Sequence, residues 1–329
     1  LNPFLGRMAP VSDNNALADR RRSIEKELSN SRRSSKVLGV PNEGSRRNSA
    51  VRSRCGSICE DISYLGSERR SIRRKKIAFV GCGQLGASAA LLASMGRLAE
   101  DLVLFDIAEG MAKGKALDLG HLAALQGVDC DFKGTSNFAD IVHADVVIIT
   151  ASVPIKDGMT REDMLLANAN IMRSVGTAIK TYCPSAFVIC ITNPLDAMVR
   201  LLREVSGLPA ARVVGMAGVL DSVRFKWLLA QRLNVSVRDV QAVVLGAHGD
   251  AMVPLTRYSN VCGVPLADLI KSGLISAEEV DALMERSVRF AYEILSLMKT
   301  ATPFYAPAGA AISMAEAFLR DEKRVLPCS

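Results

Sequence analysis

The chain has 329 residues, 49% of them apolar and 23% charged, which suits about two globular domains and excludes a collagen-like or wholly disordered protein. It contains no run of about 18 uncharged apolar residues, the length that a membrane-spanning helix needs. The formal net charge of +7 originates in residues 1–76, which carry +10, whereas the remainder carries −3. Nucleic-acid binding is therefore not expected of the main body of the chain.

Residues 1–74 are predicted to form a disordered arm, because they are rich in serine and arginine and show no helical or strand period. Three interpretations of the arm stay open: a solvated extension, an organelle transit segment and a regulatory segment. Its acidic residues count against a transit segment. The pattern Arg-Arg-x-Ser recurs at Ser23, Ser35 and Ser49, which makes these serines candidate kinase sites.

A strand, a glycine-rich turn and a helix follow one another after residue 75. The turn has the pattern G-x-G-x-x-G at Gly81, Gly83 and Gly86, between an apolar strand that starts at Lys76 and a helix predicted near Ala87–Met95. In this setting the first glycine permits a tight turn, the second lets the backbone approach a pyrophosphate, and the third lets the helix pack on the strand. The helix N-terminus then supplies amide donors to the phosphates.

An acidic residue completes this dinucleotide-binding fingerprint. Asp106 follows a second predicted strand, Leu102–Phe105, and lies 20 positions beyond Gly86. Its carboxylate is expected to accept hydrogen bonds from the adenosine ribose. Because its charge would repel a 2′-phosphate, the predicted cofactor is NAD and not NADP.

Strands and helices continue to alternate along the next hundred residues. The predicted elements are a strand at Val146–Thr150, a helix within Arg161–Tyr182, a strand at Ala186–Thr192, a helix near Ala197–Val205 and a strand at Val213–Val214. This alternation predicts an α/β fold with a doubly wound parallel sheet. Ligands bind beyond the carboxyl ends of such strands, so Thr150–Asp163 and Asn193–Asp196 are candidate site segments.

Groups suited to acid–base chemistry occur in the last third of the chain. Asp221 and Arg224 lie three residues apart at the start of a predicted helix, on one face of it. His248 follows a predicted strand, Val240–Leu245, and stands between small residues, so that its imidazole can face a cleft.

The eight cysteines form no C-x-x-C pair. We expect reduced thiols of an intracellular protein, with neither a disulfide framework nor a metal site. The cytoplasm is the favoured compartment, and a mitochondrion or plastid is the alternative.

These segments together resemble the L-lactate/malate dehydrogenase superfamily, most closely its lactate-dehydrogenase-like malate dehydrogenases. The resemblance is carried by Gly81–Gly86, Ile191–Asp196, Gly215–Ser222 and Val244–Asp250, and it runs from about residue 75 to the end. It implies an NAD-linked oxidoreductase that interconverts a small 2-hydroxy acid and its 2-oxo acid, usually as a homotetramer or homodimer. The alternative is a catalytically silent NAD-binding protein with a basic interaction arm.

The resemblance also implies a role for each catalytic residue. His248 resembles the proton donor and acceptor, Asp221 its orienting partner, and Arg161 an arginine on a closing lid that polarises the reacting carbonyl. Arg224 resembles the clamp on the substrate carboxylate, and Asn193 a hydrogen-bond donor to substrate or nicotinamide. The predicted cofactor-binding residues are Gly81, Gly83, Gln84, Leu85, Gly86, Asp106, Thr150, Ala151, Asn168, Ile191 and Asn193.

One substrate-binding position departs from the family pattern. Six positions before Arg161, malate enzymes usually carry arginine and lactate enzymes glutamine, whereas this chain carries Ile155. An aliphatic side chain leaves the second carboxylate of oxaloacetate unpaired, which is costly in a desolvated site, so Ile155 favours pyruvate or a more apolar 2-oxo acid. The adjacent Lys156 offers a nearby cation, and malate with oxaloacetate is kept as the family-level expectation.

The predicted organisation has three parts. The arm at residues 1–74 precedes an NAD-binding domain at residues 75–215 and a mixed α/β substrate domain at residues 216–329. Members of the family usually continue beyond the position of Ser329, and the first residue is Leu1, so we expect this chain to be part of a longer protein with an incomplete substrate domain.

Overall fold

The computed structural model describes residues 74–153, 160–299 and 302–329. The predicted arm lies outside these ranges except for Arg74, and so do its candidate kinase sites Ser23, Ser35 and Ser49. Among the helices of the described ranges, none combines the length and the hydrophobicity that crossing a membrane requires.

A six-stranded parallel sheet forms the centre of the described chain. Its strands are β1 (Lys76–Val80), β2 (Asp101–Phe105), β3 (Asp131–Thr135), β4 (Val146–Ile149), β5 (Phe187–Cys190) and β6 (Val213–Gly215). Their order is β3-β2-β1-β4-β5-β6, and every neighbouring pair is parallel. The register places Val80 beside both Phe105 and Ile149. The strand order reverses between β1 and β4, which is where ligands bind in sheets of this kind.

Helices cover both faces of the sheet. The helices of the described ranges are α1 (Gln84–Met95), α2 (Glu109–Leu125), α3 (Arg161–Tyr182), α4 (Leu195–Ser206), α5 (Gly218–Leu233), α6 (Leu266–Lys271), α7 (Ala277–Met298) and α8 (Tyr305–Leu319). Ile77 and Phe79 of β1 share a buried cluster with residues of α1 and α8. Ala78 and Val80 share another with residues of α3 and α4. Burial on both faces explains why the strand is a continuous apolar run.

The strands of the last third are short. They are β7 (Val240–Gln241), β8 (Val244–Gly246), β9 (Met252–Pro254), β10 (Asn260–Val261) and β11 (Val264–Pro265). β8 and β9 form a two-stranded sheet, whereas β7 and β11 flank β10 in a separate sheet. The predicted single strand Val240–Leu245 is therefore wrong. The chain leaves the sheet of β7, β10 and β11 after Gln241, and the Val243 carbonyl accepts the Leu255 N–H at 2.8 Å. The sequence hides this break, because Val240 and Val244 are both buried and belong to one apolar run.

The parallel α/β fold class is confirmed, and differences from prediction concern the ends of elements. The first helix begins at Gln84 and not at Ala87, so the last glycine of the pattern, Gly86, lies in its first turn. β3 was not predicted from the sequence. It is a partly exposed edge strand with the residues DFKGT, so it lacks the apolar run that marks the central strands.

The last residues of the chain lie beside β6 and α5. The Gly215 N–H donates to the Ser329 carbonyl at 2.7 Å, and the Ser329 N–H donates back to the Gly215 carbonyl at 3.0 Å. A methyl group at Gly218 would come within 2.6 Å of Pro327. The start of α5 is thus packed against this final segment.

Candidate active site

The glycine turn joins β1 to α1 at the reversal of strand order. Gly81 has a φ of +104°, a conformation that favours glycine, and a Cβ there would lie 2.6 Å from the Ala151 nitrogen. A Cβ at Gly86 would collide with the Gly81 carbonyl, so α1 packs directly on the turn. Nothing lies within 4 Å of a Cβ placed at Gly83, which leaves open space in front of the backbone at the start of α1. This space and the helical amides beside it fit a pyrophosphate.

Asp106 follows β2 and is fixed to the same turn. Its Oδ2 accepts the Cys82 N–H at 2.7 Å, and its Oδ1 accepts the Ala108 N–H at 2.9 Å. The side chain is partly exposed, and each carboxylate oxygen accepts more than one hydrogen bond. Asp106 therefore stands beside the predicted cofactor turn with capacity for ribose hydroxyls.

A lysine that the sequence analysis did not single out also contacts this turn. Lys115 of α2 donates from Nζ to the Cys82 carbonyl at 2.6 Å and to the Gly83 carbonyl at 3.1 Å. Its position three residues after the buried Ala112 places it on the helix face towards the sheet. The spacing from Ala112 was the sequence signal that could have identified Lys115. It is a weak signal, because most lysines on such helices are solvated.

The ends of β4 and β5 lie against the turn. The Thr150 hydroxyl donates to the Gly81 carbonyl at 2.9 Å, and the Thr192 hydroxyl donates to the Ala151 carbonyl at 2.8 Å. The Ile191 N–H donates to the Ile149 carbonyl at 2.9 Å. These contacts hold three predicted cofactor residues, Thr150, Ala151 and Ile191, at the carboxyl end of the parallel strands.

Asn168 connects the segment after β4 with the segment after β5. It is almost completely buried in α3. Its Oδ1 accepts the Val153 N–H at 2.9 Å, and its Nδ2 donates to the Asn193 carbonyl at 2.8 Å. These contacts orient the backbone on which Asn193 exposes its own side chain.

Arg161 is the first residue of α3. The helix start is fixed by a capping box, in which the Asp163 N–H donates to the Thr160 hydroxyl and the Thr160 N–H donates to Asp163 Oδ2, each at 3.0 Å. The hydrogen bonds from Thr160 lower the pKa of Asp163. The side chain of Arg161 and the whole of Ile155 and Lys156 lie outside the described part of the chain.

A histidine, an aspartate and an arginine meet beside the first turn of α5. His248 Nδ1 lies within hydrogen-bond distance of Asp221 Oδ2, at 3.0 Å, and Arg224 Nη1 lies 3.5 Å from Asp221 Oδ1. The Asp221 side chain is 2% exposed, that of Arg224 10% and that of His248 20%. Burial lowers the pKa of Arg224, and the nearby Asp221 carboxylate opposes that shift. Asp221 thus bridges two groups that are cationic or can become so.

Local structure brings these three side chains together. Asp221 lies in the first turn of α5, where the helix dipole favours a negative charge. The Ser222 hydroxyl accepts the Val244 N–H at 3.0 Å and so ties α5 to β8. His248 stands on the turn between β8 and β9, flanked by Gly246 and Gly249 with φ values of +94° and +124°.

This arrangement can transfer protons. An ionised carboxylate only accepts hydrogen bonds, so the hydrogen on His248 Nδ1 is committed to Asp221 and Nε2 is the nitrogen left to exchange a proton. Within the described residues, no group of three or more His, Cys, Asp or Glu side chains could hold a metal ion.

The six cysteines in the described ranges are free thiols. Burial raises the pKa of Cys82, in the glycine turn, to about 12 and that of Cys190, in β5, to about 12. Both therefore stay protonated near neutral pH, which makes them unreactive packing residues.

A doubly wound sheet with a dinucleotide turn, in a chain that also holds a histidine–aspartate pair and a buried arginine, is typical of a nicotinamide-dependent oxidoreductase. The comparisons with protein-family models then give the family. The NAD-binding domain of lactate/malate dehydrogenases matches residues 75–215, and their alpha/beta C-terminal domain matches residues 218–329. The chain belongs to the lactate/malate dehydrogenase family.

Similar proteins include both activities of that family. A malate dehydrogenase of Methylobacterium radiotolerans is 56% identical over 256 residues, which are 78% of this chain and 80% of the relative. The crystal structure of Cryptosporidium parvum malate dehydrogenase is 48% identical with a TM-score of 0.75, covering 78% of this chain and 81% of that chain. The lactate dehydrogenase of the same organism, complexed with lactic acid and the NAD cofactor, is 50% identical with a TM-score of 0.76 and the same coverage.

These findings confirm the predicted family, the cofactor NAD and the reaction class. The protein is an NAD-dependent oxidoreductase of the malate/lactate type, acting between a 2-hydroxy acid and its 2-oxo acid. The roles of individual residues stay predictions.

Proposed function

We propose that the protein interconverts malate and oxaloacetate, with His248 as the acid–base residue. The observation that carries the acid–base role is the contact of one buried carboxylate, Asp221, with both His248 and Arg224. Similarity to the malate dehydrogenase of Methylobacterium radiotolerans, at 56% identity, supports the substrate.

The proton of the reaction moves at His248 Nε2. In the direction of reduction, the protonated imidazole gives this proton to the carbonyl oxygen of the 2-oxo acid, and in oxidation it takes the proton from the hydroxyl. Asp221 holds Nδ1 at 3.0 Å, which fixes the ring orientation and stabilises the imidazolium.

The substrate is oriented by cations and an amide. Arg224 is nearly buried and would hold the substrate carboxylate next to the reacting carbonyl through two parallel hydrogen bonds, a geometry that lysine cannot copy. Asn193 is exposed beyond β5 and would donate to substrate or nicotinamide. Arg161, at the start of α3, would polarise the reacting carbonyl.

The cofactor site uses groups at the end of the sheet. Residues of the glycine turn, with Thr150, Ala151 and Ile191 beside it, would hold the pyrophosphate and nicotinamide portions, and Asp106 the ribose. When bound, NAD supplies the acceptor or donor of the hydride.

A second candidate substrate is pyruvate or a bulkier apolar 2-oxo acid. Ile155 supports it, because an isoleucine cannot pair the second carboxylate of oxaloacetate. The two Cryptosporidium parvum structures do not separate the candidates, since the malate dehydrogenase is 48% and the lactate dehydrogenase 50% identical to this chain.

NADH oxidation, followed by absorbance with oxaloacetate, pyruvate and 2-oxoisocaproate in parallel, tests the substrate. The malate proposal requires the highest kcat/KM with oxaloacetate, and Ile155→Arg should then raise it further. A preference for pyruvate or 2-oxoisocaproate would replace malate with the second candidate, and Ile155→Arg should then shift that preference towards oxaloacetate. NADH binding without turnover of any acid would favour the catalytically silent alternative.

We also propose a homo-oligomer, in line with the resemblance to the family. Val223 and Trp227 of α5 are 50% and 44% exposed, so this helix offers apolar surface to a second copy. Light scattering on the purified protein tests this, and a monomer at micromolar concentration would contradict it.

Three further assignments stay proposals. They are the division into residues 1–74, 75–215 and 216–329, the cytoplasmic location and phosphorylation in the arm. Mass spectrometry after treatment with a basophilic kinase tests the phosphorylation proposal, for which modification at Ser23, Ser35 and Ser49 is the expected result.

A further inference from the structure

Lys115 is a charged side chain that contacts the glycine turn but does not belong to the dinucleotide fingerprint. Its ammonium donates to two consecutive carbonyls, those of Cys82 at 2.6 Å and Gly83 at 3.1 Å. It projects from α2, the helix that follows Asp106, and is partly buried. An ammonium group in this position has lost part of its hydration, and its hydrogen bonds to the two carbonyls compensate for that loss.

These two contacts determine where the neighbouring amides point. In a trans peptide the N–H is directed opposite to the C=O of the same unit. Because the carbonyls of Cys82 and Gly83 face Lys115, the N–H groups of Gly83 and Gln84 are directed to the opposite side of the turn. The Gly83 carbonyl also accepts the Ala87 N–H at 3.1 Å, the first hydrogen bond of α1, so the Gln84 N–H points out of the helix end.

We propose that Lys115 is a positioning residue for the pyrophosphate of NAD. It fixes the two peptide planes whose amides face the phosphates, and its positive charge behind the turn strengthens the field that these amides and the helix end present to an anion. The proposal rests on NAD binding and not on the choice of 2-oxo acid.

The test measures nucleotide binding directly. Kd values for NADH, ADP and adenosine are measured by fluorescence titration and displacement for the wild type, Lys115→Met, Lys115→Arg and Lys113→Met. Lys113 is the matched control, because it lies two residues away on the same helix, loses the same charge and pairs with the exposed Glu109 at 2.7 Å. Thermal unfolding of each protein without nucleotide shows whether it is folded.

The expected result is a rise in the Kd of NADH and ADP on the order of tenfold for Lys115→Met, corresponding to about 1.4 kcal/mol. The Kd of adenosine, which has no phosphate, should change little. Lys115→Arg should restore most of the ADP affinity, and Lys113→Met should bind NADH and ADP as the wild type does.

Two results would overturn the proposal. One is an ADP affinity of Lys115→Met equal to that of Lys113→Met. The other is an equal loss for ADP and adenosine, which would mean that Lys115 only packs the turn. Should Lys115→Met fail to fold, Lys115→Gln carries the same test, because its amide can still donate to the Cys82 carbonyl while the charge is gone.

Discussion

Replacing Asp221 by asparagine tests the central contact of the site. The change keeps the size of the side chain but removes the charge that lies 3.0 Å from His248 Nδ1. Two unit charges about 4 Å apart interact by about 4 kcal/mol at an effective dielectric constant of about 20. Since Asp221 is 2% exposed, water screens this interaction weakly. Loss of the full interaction with the imidazolium would lower turnover about 10³-fold. Because the side-chain amide of the new asparagine compensates in part, we expect a loss of about 10²- to 10³-fold.

The assay is kcat and KM for NADH oxidation with the preferred 2-oxo acid near pH 7. KM for that acid should also rise, because Arg224 loses its carboxylate partner and is held less well. Asp281→Asn, the same change at an exposed position of α7, is the control. NADH binding should be unaffected in both variants, since the proposed cofactor residues lie at the end of the parallel sheet. A loss of turnover below tenfold in a folded Asp221→Asn protein would refute the assignment of Asp221 as the orienting partner of His248.

Three other predictions concern binding and stability. Gly86→Ala should raise the Kd of NADH more than tenfold, because its methyl group would meet the Gly81 carbonyl and displace the turn; fluorescence titration checks this. Arg224→Lys should raise KM for the 2-oxo acid about 10²-fold with NADH affinity unchanged, as steady-state kinetics would show, since one ammonium cannot form two parallel hydrogen bonds. The hydrogen bond from Lys133 lowers the pKa of Asp140, so this carboxylate stabilises the fold above its unfolded-state pKa and less as pH falls through its folded value. Asp140→Asn should therefore destabilise the protein in urea unfolding at pH 6 and have a smaller effect at pH 3; an equal effect at both would contradict this.

The parallel sheet and its cofactor end could be predicted because both depend on local sequence. Strands buried on two faces are continuous apolar runs, as in β1 and β4, and the turn at Gly81 needs a residue that tolerates a positive φ. The aspartate after β2 is fixed in sequence distance because one helix separates the two strands. Such signals require no knowledge of contacts between distant residues.

Features that depend on distant contacts were harder to predict. Lys115 contacts residues more than 30 positions away, and its spacing from the buried Ala112 was a weak local signal beside the exposed Lys113 on the same helix. The break between β7 and β8 is set by hydrogen bonds to a later segment, while the apolar pattern runs through it unchanged. The contact of Asp221 with His248 joins residues 27 positions apart, and only the family resemblance indicated it.

The backbone is held by hydrogen bonds on both sides of residues 154–159, and this has an evolutionary consequence. On one side the buried Asn168 holds Val153, and on the other the capping box of Thr160 and Asp163 fixes the start of α3. The six positions between them, which include Ile155, can thus change identity while the backbone on either side keeps its contacts. On the proposal that Ile155 sets the substrate, a descendant of this protein can change its preferred 2-oxo acid within these six positions and keep the same nucleotide site.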